Sequence, residues 1–479
     1  MRHLLLLAFV CLFSLPLAAQ DQDSRYWEGV VYFQLRPELN LKLDSYDSEK
    51  ITRRPLSSTY KDFPQVLSVL ENNQVQKLDQ AFKSLSTPAA KNIYRLDFDN
   101  KENVASILKT LRGSSRIAYA ERAPKNYTSA LPNDAEIGRQ WYLETIEAEA
   151  GWDLAVPQRE VVVAVVDDAV SIEHEDLEAN VWRNTTEING TRGVDDDGNG
   201  YVDDFFGWDG AMNDNNPNPP SNANDQYFMH GTHVAGIVGG QPDAATIGVT
   251  DNVEFMMIRT VPNGDERDKD VANSIRYAVD NGAMVINMSF GKEYSPDQEY
   301  VREAVKYAEN AGVLMVHAAG NDGKNNDEKL SFPDGSISDR RKADSWIEVG
   351  ASSSSYDESL PASFSNYGEN SVDLFAPGVQ ILSSVADNGY ESLSGTSMAS
   401  PVVAGVAALL MSYFPELEAS DIKEILMESV TKIDLEVLQP TEGDEEVRVP
   451  FSSLSRTGGI VNAYEAVKLA DQRATIRPR

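Results

Sequence analysis

From about residue 140 onward, short apolar runs recur without polar alternation. They are Val161-Val162-Val163-Ala164-Val165-Val166, Met256-Met257-Ile258, Met284-Val285-Ile286-Asn287-Met288, Val313-Leu314-Met315-Val316 and Ile347-Glu348-Val349. Helix-like stretches over 271–281 and 300–310 lie between them. Strands with no polar face, separated by helices, predict an α/β unit whose mostly parallel sheet is covered on both sides. In such sheets the functional crevice opens beyond the carboxyl ends of the strands, so the residues just after each run carry the interest. Upstream the pattern is different. Val30-Val31-Tyr32-Phe33 reads as a strand, Val75, Leu78, Phe82 and Leu85 have helical spacing, and Tyr94, Leu96 and Phe98 alternate as in a half-buried strand. Val104, Ile107, Leu108 and Leu111 again have helical spacing, and residues 117–120 form a last short strand. This β-α-β-α-β order predicts a small ferredoxin-like α+β module over residues 24 to about 128. Polar, Pro-containing sequence over 123–134 predicts an exposed linker after it.

The first residues, Met1-Arg2-His3, precede a nearly all-apolar run over 4–19 and then Gln20-Asp21. A positive start, a short apolar run and small residues before a polar stretch predict a secretory signal peptide over 1–20. The run is shorter than the roughly 20 residues that span a bilayer. The only cysteine, Cys11, lies inside it, so the exported chain is expected to have no disulfide. The 479 residues predict about three units, or one large unit and a smaller one, and 41% hydrophobic side chains predict a soluble globular protein. A net charge of −33 argues against nucleic acid or an anionic membrane as a partner. The charge is split unevenly. Residues 1–130 carry 18 Lys and Arg against 14 Asp and Glu, whereas residues 131–479 carry 24 against 61. Units of opposite sign are expected to attract each other.

Four segments then stand out. The run at 161–166 leads into Asp167-Asp168-Ala169, a carboxylate at a strand end. His230-Gly231-Thr232-His233 opens a stretch of small and apolar residues that reads as a buried helix, with Gly231 allowing a tight turn. Ser394-Gly395-Thr396-Ser397-Met398-Ala399-Ser400-Pro401 reads as a turn into a helix, with Pro401 in its first turn and Ser397 near its N-terminus. There the backbone N–H groups favour developing negative charge. Finally, His317-Ala318-Ala319-Gly320-Asn321 follows the strand over 313–316. Singly, these segments read as a turn aspartate, a packed histidine, an N-cap serine and a turn asparagine. Two His three apart also suggest metal, but the chain has no His-Glu-x-x-His pattern.

Taken together, and in the order Asp167, His230, Asn321, Ser397, the motifs resemble the subtilisin-like serine proteases (subtilases). The order differs from that of the α/β-hydrolases and of the chymotrypsin type. The resemblance implies a three-layer subtilisin-like fold. It also implies that Ser397 attacks the scissile carbonyl, His230 acts as base and Asp167 orients it, with Asn321 and the Ser397 N–H forming the oxyanion hole. His233 would be a packing residue. Ser289-Phe290-Gly291 and Gly320 would line the substrate cleft, with an apolar first pocket and broad specificity. The first motif departs from the family's Asp-Ser/Thr-Gly, because Asp168 and Ala169 follow Asp167. A second carboxylate near His230 would raise its pKa and shift activity towards alkaline pH.

Residues 195–204, Asp-Asp-Asp-Gly-Asn-Gly-Tyr-Val-Asp-Asp, begin like an EF-hand loop, although the twelfth position is Phe206. Asp195, Asp197, Asn199, Tyr201, Asp203 and Asp204 are the expected ligands of a structural calcium ion, as in the similar insertion of secreted subtilases. No organic cofactor is expected. The resemblance further implies that residues 21–128 are an inhibitory propeptide, removed by self-cleavage in the linker from a catalytic unit over 129–479. The expected product is a secreted monomer that acts on proteins or peptides and has no membrane attachment. The motif at 458–463 resembles the family's last catalytic segment, so no appended domain is expected. Asn126, Asn184 and Asn189 begin sequons short enough to arise by chance.

Overall fold

The computed structural model describes residues 26–36, 41–48, 55–80, 92–98, 104–124, 136–219, 229–242, 244–261, 266–441, 443 and 446–476. The expected signal peptide, most of the linker, and Phe82 and Leu85 of the expected helix lie outside these residues. The chain divides into two compact units, Met1–Asn126 and Tyr127–Arg479.

The first unit contains β1 (Tyr26–Leu35), α1 (Pro64–Asn72), β2 (Val75–Gln80), β3 (Ile93–Phe98), α2 (Val104–Arg112) and β4 (Ile117–Pro124). Its antiparallel sheet runs β2-β3-β1-β4, with a two-residue strand, Tyr46–Asp47, added beside β2. This is the βαββαβ arrangement of a ferredoxin-like sheet. The expected helix at Val75 and Leu78 is therefore corrected to a strand. The register of β2 against β3 shifts between Val75 and Lys77. Such a bulge changes the parity of the strand, so Val75 and Leu78, three apart, are both buried. The helix lies just upstream, where Pro64 starts α1 and Val66, Val69 and Leu70 form its buried stripe.

The second unit is built on a nine-stranded sheet. Its central strands are β5 (Val161–Asp167), β6 (Val253–Arg259), β7 (Val285–Met288), β8 (Leu314–Ala318), β9 (Trp346–Ser352) and β10 (Leu374–Pro377), all parallel. Only the outermost pair, Thr431–Lys432 with Gly459–Ile460, is antiparallel. Both faces are covered, which is why the strands read as unbroken apolar runs. Val163 and Val165 of β5 enter one core, together with α3 (His230–Gly239) and α6 (Thr396–Tyr413). Ala164 and Val166 enter the other, with α4 (Asp268–Asp280) and α5 (Gln298–Asn310). Helix α6 is long and apolar enough to cross a bilayer, but nearly all of it is buried in the protein core. β5 pairs with β6 on one side and β7 on the other, so the chain changes direction in the sheet at β5. A crevice is expected beyond the strand ends at such a point.

Candidate active site

Asp167 ends β5 and its side chain is almost fully buried. Its Oδ1 accepts the His230 Nδ1–H at 2.7 Å and the Asp168 N–H at 2.8 Å. A carboxylate cannot donate here, so Nδ1 carries the proton and Nε2 of the neutral imidazole is an acceptor. About a third of the His230 side chain is exposed. His230 opens α3, and the next residue must be glycine because of close approach. A Cβ on Gly231 would lie 2.3 Å from the Ala169 carbonyl oxygen and 2.9 Å from the Asp167 Cβ. The expected tight turn is not the reason, since Gly231 is an ordinary helical residue. Burial opposes charge on His230, but Asp167, assisted by Asp168, outweighs it and pushes the pKa up to about 9. Burial, and then the neighbouring Asp167 charge, pushes the Asp168 carboxyl up to about 7.

Ser397 is the second residue of α6. Its Oγ donates to the Ser289 carbonyl at 2.9 Å. The Ser289 Oγ in turn donates to the Ser397 carbonyl at 3.0 Å. Pro401 explains the second bond. It stands beyond the first turn, a correction to its expected place, and it has no N–H for the carbonyl four residues back. Ser289 supplies the missing donor, so its buried side chain fixes the nucleophile turn rather than facing a substrate.

Asn321 lies just beyond β8. Its Oδ1 accepts the Thr396 N–H at 2.8 Å and the Thr396 hydroxyl at 3.0 Å, while Thr396 Oγ1 accepts the Gly320 N–H at 3.1 Å. With Oδ1 engaged, the Nδ2 amide remains as a donor. A Cβ on Gly395 would lie 3.5 Å from both Asn321 Nδ2 and the Ser397 nitrogen. Two N–H donors thus flank one small space, which suits an oxyanion.

Phe290 is half-buried and packs edge-on to His317, and Gly291 is exposed. Gly320 has φ +110, a conformation that favours glycine. A Cβ on Gly291 or Gly320 would lie 3.1 or 3.7 Å from Ser331 Oγ, which therefore sits between these two segments. The sequence reading missed Ser331, because no motif marks it. His233 is fully buried. Its Nε2 donates to the Glu391 carbonyl at 3.0 Å, and burial lowers its pKa to about 4.

The acidic loop is organised differently from the expectation. Asp195 accepts the N–H groups of Gly198, Asn199 and Gly200, so it shapes the turn. Asp203 Oδ2 accepts the Gly193 N–H, and its buried Oδ1 has no hydrogen-bond partner among the described residues. Tyr201 packs its ring edge-on to Trp208 and Tyr277. The oxygens that converge belong to Asp197, Asp204 and Glu187, all within 4.8 Å of one another. Glu187 was not anticipated, since it lies in a short helix, Thr185–Ile188, outside the loop pattern. Asn199 and Asn184 donate amide hydrogens to Asp197 and Asp204. Asn184, the sequon residue, is thereby buried and occupied. Burial raises the Asp204 pKa to about 6. Three close oxygen donors of one sign fit a hard divalent cation.

The Subtilase family matches residues 158–449 of this chain. A thermophilic serine proteinase from a Bacillus species is 35% identical over 314 residues, covering 65% of this chain and 67% of that protein. The halolysin-like extracellular serine protease Nep of Natrialba magadii is 34% identical over 67% of this chain and 52% of its own length. Halolysin of Haloferax mediterranei is 33% identical over 70% of this chain and 57% of its own. The chain thus spans little more than half the length of these two relatives. A solved protease structure from Pseudoalteromonas arctica superposes with TM-score 0.54 at 25% identity, over 71% of this chain and 99% of that one. Together with the sheet and the motif order, these matches establish that the chain belongs to the subtilase family and is a subtilisin-like serine endopeptidase.

Proposed function

We propose that this chain is an exported protease, made as a self-processed zymogen, that hydrolyses peptide bonds with Asp167, His230 and Ser397. The observation that carries the reading is the Asp167–His230 hydrogen bond, which leaves Nε2 as the acceptor a serine hydroxyl needs. The Ser397 hydroxyl, which donates to the Ser289 carbonyl, would have to leave that bond by turning about χ1 to donate to this acceptor. His230 then takes the proton as Ser397 attacks, and returns it to the leaving amine. The Asn321 Nδ2 and the Ser397 N–H hold the oxyanion, a contribution of roughly 3–4 kcal/mol in such sites. The substrate backbone pairs along Ser289-Phe290-Gly291 and Gly320. Specificity is broad, with apolar side chains taken against Phe290 and Ser331 Oγ as the nearby polar group.

The N-terminal unit acts as inhibitor and folding aid, with the linker sequence over 123–134 as the cleavage region. Its separate core and the resemblance of its sheet to a ferredoxin-like module support this. The leader sequence and the extracellular naming of a relative support export. Glu187, Asp197 and Asp204 would hold a calcium ion, which supplies charge compensation and a cross-link for a chain without disulfides. The function is tested with a fluorophosphonate probe and casein. Wild-type chain is expected to be labelled and to cleave casein, while Ser397→Ala loses both and accumulates uncleaved precursor. A Ser397→Ala chain that still processes itself in the absence of other proteases would overturn the reading.

A further inference from the structure

Asp168 directly follows Asp167, and it is built into the site. Its Oδ1 accepts the Ala169 N–H at 2.7 Å and the Gly231 N–H at 2.9 Å. Gly231 directly follows His230 in the first turn of α3, where N–H groups have no acceptor within the helix. The Asp168 backbone is held as well. Its N–H donates to Asp167 Oδ1, and its carbonyl accepts the Arg259 Nε–H at 3.0 Å. The charged neighbours are few. Asp167 presents a buried Oδ2 that has no donor among the described residues. His230 lies within 4.8 Å of both carboxylates, measured between possible ligand atoms. From the next strand, β6, Arg259 faces the Asp168 carbonyl and is paired with buried Asp209. His233, one turn along α3, is bonded to a carbonyl and neutral.

We propose that Asp168 is a positioning residue of the hydrolytic site, which clamps the helix turn carrying His230 and places a second negative charge beside the imidazole. The proposal rests on the roles given to Asp167, His230 and Ser397 above. The two parts are physically distinct. The clamp needs only an acceptor oxygen at the Gly231 N–H, and it keeps the imidazole in register with Asp167. Once ionised, above its raised pKa of about 7, Asp168 favours the imidazolium, so the neutral base becomes available only at higher pH. The raised His230 pKa has this direction. Asp168 is not a third member of the proton relay. Its Oδ1 is occupied by two backbone donors, and it acts through His230.

The test compares Asp168→Asn, which retains the acceptor and removes the charge, with Asp168→Ala, which removes both. The measurement is the pH profile of kcat/KM on a chromogenic peptide, with near-UV circular dichroism to confirm the fold. In Asp168→Asn the acid limb is expected to move down by at least about 0.5 pH unit, with the alkaline plateau within about threefold of wild type. In Asp168→Ala the plateau is expected to fall at least about tenfold, chiefly in kcat. An unmoved acid limb in folded Asp168→Asn overturns the charge role. A plateau in Asp168→Ala equal to that of Asp168→Asn overturns the clamp. If Asp168→Ala does not fold, Asp168→Val, which is closer in size and also lacks an acceptor, replaces it and the same comparison decides. Fluorophosphonate labelling of wild type separates this failure from failure of the catalytic reading. A labelled wild type with an unmoved limb rejects the charge role of Asp168 and leaves the catalytic reading standing.

Discussion

Buried histidines in this protein differ in charge because of what each ring nitrogen meets. His233 meets a carbonyl, and burial drives it neutral, with a pKa of about 4. His317 is just as buried, but its Nδ1 lies 3.0 Å from Glu348, whose other oxygen accepts the Trp346 Nε1–H at 2.8 Å. Burial opposes its charge too, yet Glu348 outweighs burial and the pKa rises. A folded pKa above the unfolded value of about 6.5 means stability that is fully present below that pH. It is lost as pH rises through the folded value. Glu348→Gln is therefore expected to lower unfolding stability by about 3 kcal/mol at pH 6, and by less as the medium becomes alkaline. Urea unfolding of the Ser397→Ala chain, which avoids self-digestion, measures both. An equal loss at pH 6 and in alkali would show that the pair is not ionised. His230 and His233 share one four-residue motif, so nothing in their spacing separates an exposed, acid-paired ring from a packed one. The resemblance assigned the roles, and the packing supplies the reason.

Local irregularity and the joining of distant segments matter most at the scale of elements. The bulge in β2 gave a strand the spacing of a helix, since Val75 and Leu78 share a face only because one residue is left over. The acidic loop shows a similar limit. Its repeating carboxylates were legible, but Asp195 serves the loop's own N–H groups, and the third converging carboxylate comes from Glu187 in the preceding helix. A cation there would join that helix to the loop. Removing calcium with EGTA is expected to lower the melting temperature by about 3–5 °C. Glu187→Gln should shrink this response more than Asp195→Asn does. A melting temperature indifferent to EGTA would leave the cluster as a solvated acidic turn.

The whole molecule is a charge problem as well as a packing one. A slightly basic first stretch precedes a strongly acidic remainder, and the contrast falls near the division between the two compact units. The first unit has its own core, formed by Val31, Phe33, Leu78, Leu96, Ile107 and Leu111 among others. The proposed inhibitor role can therefore be tested on this unit by itself. Added in trans, residues 21–128 are expected to inhibit casein hydrolysis, with an inhibition constant that rises several-fold between low and high salt. Inhibition independent of salt would mean that charge contributes nothing to the recognition.

Chain order and local pattern were enough to determine the mostly parallel sheet and its buried strands, while the resemblance named Asp167, His230, Asn321 and Ser397 as the candidates. Continuous apolar runs report burial on both faces, and motif residues follow the strands that carry them. Only the tertiary structure decided how those residues are held. The Ser397 carbonyl is satisfied by Ser289, 108 residues away, because Pro401 has no N–H to offer it. Asn321 is oriented by Thr396, and the turn after His230 is clamped by Asp168. These partners are distant in sequence and close in space, so spacing along the chain carries no trace of them. What joins them is the sheet, which brings the ends of β5, β7 and β8 beside the first turns of α3 and α6.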